Sequence, residues 1–235
     1  MSKRFPDLLN LVERELVNGV PDQDPITWVP ATWHKRFPAG SLAGRYLDEL
    51  DGQPLSRSAI LDVAGRIPNL SEVDRAFEVE RLFLLSQVWG YGTVGYGAFR
   101  TAAIMRGTPF ISVVGRVYEE LIEHGAVAAY HAMRRGGPEN LRGLGPAFAT
   151  KFLHFAGYGV VPPGTPEPLI LDSLVGAALH KGEPTAFGPF TGRVWDSETY
   201  CRYLDAVDWV CANTAIDGLR PADTELALFL IGKAR

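Results

Sequence analysis

Apolar positions recur at helical spacing through residues 7–18, where Leu8, Leu9, Leu11, Val12 and Leu16 mark one side of an amphipathic segment. A proline-rich connection over 21–38 follows and carries Trp28 and Trp33. Short helices are predicted over 42–50 and 57–65, the second opening after Ser56, whose hydroxyl suits an N-cap. A longer helix is expected over 71–88, where Ser71-Glu72-Val73-Asp74 approximates a capping box and Val73, Phe77, Leu84 and Val88 form the apolar face. The pattern breaks at Trp89-Gly-Tyr-Gly-Thr-Val-Gly-Tyr-Gly97, with four glycines in nine positions. Helical spacing resumes over 98–106, and 110–134 offers one or two further helices. Nothing alternates like a β-hairpin, so the chain is expected to be mainly α. No repeat, low-complexity run or long linker interrupts it.

Composition narrows the class. At 46% hydrophobic and 21% charged residues over 235 positions, the chain has the make-up of a folded globular protein. No apolar run is long enough for a membrane helix, and the amphipathic N-terminus contains acids, unlike a signal peptide. Cys201 and Cys211 cannot make a disulfide framework or a cysteine-rich metal site, which fits a reducing, bacterial-type cytoplasm. The motifs HExxH, CxxC, GxxxxGK[ST] and GxSxG are absent, and no metal or other cofactor is expected. The net charge of −4 implies no general affinity for nucleic acid. Its distribution is uneven, however. Arg100, Arg106 and Arg116 occur without an intervening acid, and Arg134, Arg135, Arg142 and Lys151 face only Glu139, whereas 193–225 is acidic.

The most informative segment is Pro138-Glu-Asn-Leu-Arg-Gly-Leu-Gly-Pro-Ala-Phe-Ala-Thr-Lys-Phe-Leu-His-Phe-Ala156. Pro138 suits the first turn of a short helix, Gly143-Leu144-Gly145 a tight turn, and Pro146 the start of a second helix reaching about Ala156. Two helices joined this way make a helix-hairpin-helix over about 138–156, or else an ordinary turn between helices. Backbone N–H groups at Gly143, Gly145 and the second helix's start would suit a phosphate, with Arg142 and Arg100 as cationic support. Downstream, Asp172 is the only acid in the apolar run Pro168-Leu-Ile-Leu-Asp-Ser-Leu-Val-Gly176, placed to cap the next helix.

Leu141-Arg-Gly-Leu-Gly-Pro-Ala followed by Leu171-Asp-Ser-Leu-Val resembles the helix-hairpin-helix superfamily of DNA base-excision glycosylases, and more narrowly a bacterial 8-oxoguanine-glycosylase-fold protein. The clear likeness covers about Pro138 to Leu179. It implies a helix-hairpin-helix glycosylase-like fold, one domain over 1–235 built of two helical lobes, and DNA containing a modified base as partner. It implies neither a protein partner nor a membrane.

Where family members that also cleave the DNA strand carry a lysine, this chain has Ala147. Lys151 lies one turn further on, and Thr150-Lys-Phe-Leu-His-Phe-Ala156 is similar to the lysine setting of archaeal 8-oxoguanine glycosylases. The resemblance therefore implies Asp172 as essential carboxylate, Lys151 as amine nucleophile and Phe155 as the aromatic that stacks on the extruded base. Lys151 could instead be a phosphate contact or a surface lysine.

Trp89 and His154 are further candidates for the base pocket. The 89–99 segment, with Trp89, Tyr91, Tyr96 and Phe99, is either a loop that stacks on DNA or a bend with buried aromatics. Trp195, after the loop Gly182 to Gly192, could close over a ligand but is expected in the core. The expected activity is excision of 8-oxoguanine, or of a bulky hypermodified phage base in antiphage defence, with AP-lyase activity if the lysine attacks. A catalytically inactive DNA-binding module of the same fold is the alternative.

Overall fold

The computed structural model describes residues 4–107, 109–189 and 195–234. In chain order the described helices are α1 (Pro6–Glu15), α2 (Pro30–His34), α3 (Leu42–Asp48), α4 (Arg57–Ala64), α5 (Glu72–Tyr91) and α6 (Tyr96–Arg106). They continue with α7 (Phe110–His124), α8 (Ala126–Met133), α9 (Pro146–Ala156), α10 (Ser173–Gly182), α11 (Ser197–Asn213) and α12 (Pro221–Lys233). Among the described residues no strand forms, and one antiparallel bridge joins Ile26 to Leu55. The chain is mainly α, as its periodicity predicts.

Local chemistry sets several boundaries as expected. Ser41, Ser56 and Ser71 each accept a hydrogen bond from a backbone N–H of the helix that follows. Glu183 covers the start of α1 from afar, its carboxylate accepting from the Asp7 and Leu8 N–H groups. The proline-rich connection contains the short α2, with both Trp28 and Trp33 buried.

Three expectations are corrected. The first two turns of α5 lie at the surface, so Val73 and Phe77 are exposed, while Leu84 and Val88 are buried as expected. The second half of α5 is buried on every side, at Val79, Leu82, Phe83, Leu84, Leu85 and Val88, the pattern of a central helix. Phe83 there meets Phe110 of α7 and Phe152 of α9 edge to face, at 4.9 and 5.5 Å. The helix also runs beyond Val88 through Trp89 and Tyr91, ending at Gly92, whose φ of +54° favours glycine. The stretch 89–99 is thus the end of α5, a short turn and the start of α6. Finally, no helix begins at Pro138. Between Gly137 and Gly143 the chain makes irregular turns instead. The Glu139 N–H donates to the Ala132 carbonyl, and its carboxylate accepts from Arg116 Nε and Nη2, each at 2.7 Å.

Candidate active site

The glycine turn leads directly into the site. Leu141 is buried and anchors the turn, the Leu144 N–H donates to its carbonyl at 2.9 Å, and Gly143 has a φ of +95°. Gly145 is the N-cap of α9 and Pro146 its first residue. From α9, buried side chains reach toward the extended run 168–171. The His154 Nδ1 lies 2.9 Å from the Pro168 carbonyl, and the Leu171 N–H donates to Thr150 Oγ1 at 3.0 Å. Tyr200 and Tyr203 of α11 donate to the Leu169 and Ile170 carbonyls, both at 3.0 Å. Polar groups of this buried run are thus satisfied by side chains of two helices, which fixes the segment that delivers Asp172.

Asp172 caps α10. Its Oδ1 accepts from the Leu174 and Val175 N–H groups at 3.0 and 3.1 Å, leaving Oδ2 3.1 Å from the Lys151 ammonium. Lys151 is buried, and Phe148 lies beneath its Nζ at 5.6 Å. Gly90 makes room for this lysine: a Cβ there would stand 2.8 Å from Lys151 Cδ. The pair lies at the wall of a cavity of about 140 Å³, also lined by Gln23, Arg57, Trp89 and Glu225. Arg57 reaches Glu225 at 3.0 Å and lies over the Trp89 ring at 5.5 Å. Burial pushes the Glu225 carboxyl up from its ordinary value, and Arg57 opposes that rise. Trp89 Nε1, Arg57 Nε and Gln23 Oε1 are buried without hydrogen-bond partners, so the wall keeps unspent donors and an acceptor.

The structure brings together two of the residues expected from sequence, Lys151 and Asp172, with Trp89 beside them. Phe155 is fully buried behind Trp89, meeting it edge to face at 5.4 Å, so it supports the wall and offers no open ring face. His154 also lies inside, where burial foremost, and then the positive charges of Arg57 and Lys151, lower its pKa to about 3. It holds the 168–171 run through Pro168 and does not line the cavity. Arg57, Glu225 and Gln23 escaped the sequence reading. They come from three distant segments, and no local motif marks them.

Gly143 and Gly145 line a second, larger hollow of about 450 Å³ with Arg100, Arg134 and Arg135. The two basic segments therefore meet in part. Arg100 donates to the Gly143 carbonyl at 3.1 Å, and Arg142 is exposed on the same turn. Arg116 is turned away to Glu139. Trp195 is buried as expected, with its carbonyl accepting from Tyr130. Residues 190–192, the end of the expected Gly182–Gly192 loop, lie outside the described residues, and α10 occupies its first position.

Among the described residues, no group of three or more His, Cys, Asp and Glu side chains could hold a metal ion. No described helix is long and apolar enough to cross a membrane.

The described residues are mainly helical, and Lys151 and Asp172 are paired at a small cavity. The profile of the family described as putative 8-oxoguanine DNA glycosylase OGG-like protein matches residues 19–229, and the chain belongs to that family. The match extends far beyond the 138–179 stretch that carries the resemblance. No curated protein and no solved structure matches the chain.

Proposed function

We propose that the protein is a DNA N-glycosylase in which Asp172 stabilises the sugar cation and Lys151 is the nucleophile. The observation that carries this reading is the 3.1 Å approach of the two groups at the cavity, with Asp172 aimed by two backbone N–H groups. Breaking the bond between C1′ and the base sends the bonding pair to the base, which takes up a proton. Positive charge gathers on the sugar, and a fixed, poorly solvated carboxylate stabilises it. The proton that the base takes up comes from the Lys151 ammonium, and the amine so freed attacks C1′, so a carbon–nitrogen bond to lysine replaces the bond to the base. Loss of the amine proton and opening of the sugar ring then give a Schiff base, from which strand cleavage by elimination follows. Asp172 is an acceptor within reach of that proton. Where water attacks instead, the products are the free base and an abasic sugar.

The turn Gly143–Gly145 and the start of α9 are read as the phosphate-holding half of a helix-hairpin-helix, with Arg100 and Arg142 alongside. The helix before it is then α8, separated by an irregular stretch. The target nucleotide turns out of the stack into the cavity, where Gln23, Arg57 and Trp89 supply hydrogen bonds to its edge. Size bears on the substrate. About 140 Å³ is close to the ~150 Å³ cavity that holds one benzene ring. The bicyclic 8-oxoguanine is already larger than benzene, so the cavity widens as a base enters, and 8-oxoguanine is favoured over a hypermodified phage base as the nominal substrate of the family. Ala147, where strand-cleaving relatives carry lysine, is the feature that favours an inactive DNA-binding module.

The test is mass spectrometry of bases freed from 8-oxoguanine duplexes and from hypermodified phage DNA, with wild type and Asp172→Asn. Release of one base by wild type alone is expected. DNA binding without release from any substrate would overturn the catalytic assignment. Borohydride trapping of the wild type, lost in Lys151→Gln, is expected if lysine is the nucleophile. Release without trapping would make the enzyme hydrolytic.

A further inference from the structure

We propose that Tyr96 and Phe99, on the first turn and a half of α6, form a stacking platform for unpaired bases of the DNA strand beside the cavity. DNA as the ligand rests on the glycosylase reading; the platform itself rests on separate observations. The two rings are 59% and 48% exposed, although large aromatic side chains are usually mostly buried. They are near-parallel, 30° apart with centroids at 5.9 Å. Each carries its own cation: Arg36 lies over Phe99 at 5.1 Å and Arg100 over Tyr96 at 5.5 Å. Two rings one helical turn apart, each with a guanidinium, offer π-faces for bases and positive charge for the linking phosphates. No acid occurs from Gly92 to Arg116, so the patch is complementary to an anionic chain and poorly suited to an acid-poor protein partner.

The platform's helix is joined to the proposed active site through Gly97, Tyr91 and Phe148. Gly97 lets α6 lie directly on Tyr91, where a Cβ would come within 2.3 Å of the Tyr91 ring. Tyr91 stacks on Phe148 at 3.9 Å, and Phe148 lies under the Lys151 ammonium at 5.6 Å. Arg100 also donates to Gly143, tying α6 to the glycine turn. A strand whose nucleotide enters the cavity would therefore pass close to Tyr96 and Phe99. In an intact duplex the base faces are occupied by their neighbours, and only their edges reach the grooves. Exposed ring faces match bases whose stacking is already interrupted. The class of ligand is thus single-stranded or locally opened DNA.

The experiment is fluorescence anisotropy of a labelled, unmodified thymidine oligonucleotide and of the matching duplex with the full chain. Wild type is compared with Tyr96→Ala, Phe99→Ala, Phe99→Leu and the double alanine variant. Each alanine should weaken single-strand binding by about tenfold, consistent with the stacking contribution per base. Phe99→Leu keeps apolar area but no ring and should fall almost as far. Duplex affinity should change less than twofold, and the salt slope of single-strand binding should be unaltered because no charge is removed. Equal losses on strand and duplex, an unchanged single-strand affinity, or no single-strand binding by wild type would each overturn the platform. None of these readings requires base release, so the platform and the catalytic assignment can fail independently. Far-UV circular dichroism matching wild type confirms that the exposed substitutions leave the fold intact.

Discussion

Arg57 and Glu225 meet at 3.0 Å, and the same guanidinium lies over the ring of Trp89. Glu225 is 2% exposed, so its charge depends on this partner. Removing one member of a buried pair leaves the other desolvated and alone, at a cost of about 3–5 kcal/mol. Arg57→Ala should therefore lower stability by that order in urea titration, and Arg57→Met/Glu225→Met should recover most of the loss. A double variant no more stable than the single would show that Arg57 acts through packing on Trp89 and not through charge.

Glu225 also carries a pH signature. Its folded pKa is raised by burial, so the folded state holds a proton that the unfolded state gives up first. Stability from this group is then greatest below the unfolded value and declines as pH rises from there through the raised folded value. Glu225→Gln should flatten that decline above about pH 4.3, the ordinary glutamate value. Parallel stability–pH curves for variant and wild type would contradict the assignment.

His154 has the opposite direction of dependence. Its pKa of about 3 in the fold lies far below the value of an unfolded histidine. As pH falls below about 6.5 the unfolded chain gains a proton that the folded chain refuses, at a cost of ~1.4 kcal/mol per pH unit from this group. Wild type should thus lose stability between pH 6.5 and about 3 more steeply than His154→Gln. Because His154 also holds Pro168, the variant should be less stable at pH 7. Only the difference in slope reports the protonation.

These three side chains lie where the sequence was not legible, in contrast to its local features. Helix starts at Ser56 and Ser71 follow from one hydroxyl and its own next turn, and Asp172 as a cap is equally local. The Lys151–Asp172 candidates come from the family resemblance carried by the 19-residue stretch 138–156 and from one acid in an apolar run, and the fold places them together. Phe155 and His154 share the helix of Lys151, but sequence spacing does not tell which neighbour covers them. Trp89 from α5 and Pro168 from the extended run take those positions. Arg57 and Glu225 lie 168 positions apart, a separation at which no spacing rule operates. The glycines of 89–97 suggested a loop because glycine disfavours helices, whereas at Gly90 a close approach by α9 outweighs that preference.

Tyr203 tests whether the 168–171 run governs the proposed chemistry. Tyr203→Phe removes only the hydroxyl that donates to the Ile170 carbonyl, leaving a buried acceptor unpaired at about 1–3 kcal/mol. Asp172 lies two residues further on. The variant should reduce the base-release rate more than DNA affinity. An unchanged rate with the stability loss would make the hydroxyl purely structural.

Gly90 offers the sharpest separation of stability from position. Alanine within α5 should gain about 1 kcal/mol of helix propensity. Its Cβ would, however, stand 2.8 Å from Lys151 Cδ and 2.9 Å from the Phe148 ring, both closer than van der Waals contact allows. The lysine stem is the more flexible of the two, so it should move, taking its ammonium from the 3.1 Å contact with Asp172. Gly90→Ala should therefore melt within a few degrees of wild type, because propensity gained offsets packing lost, while borohydride trapping slows at least tenfold. That is the effect of roughly 1.4 kcal/mol on the barrier. Trapping at the wild-type rate would show that the amine tolerates displacement, and the Lys151–Asp172 geometry would then not be what sets the rate.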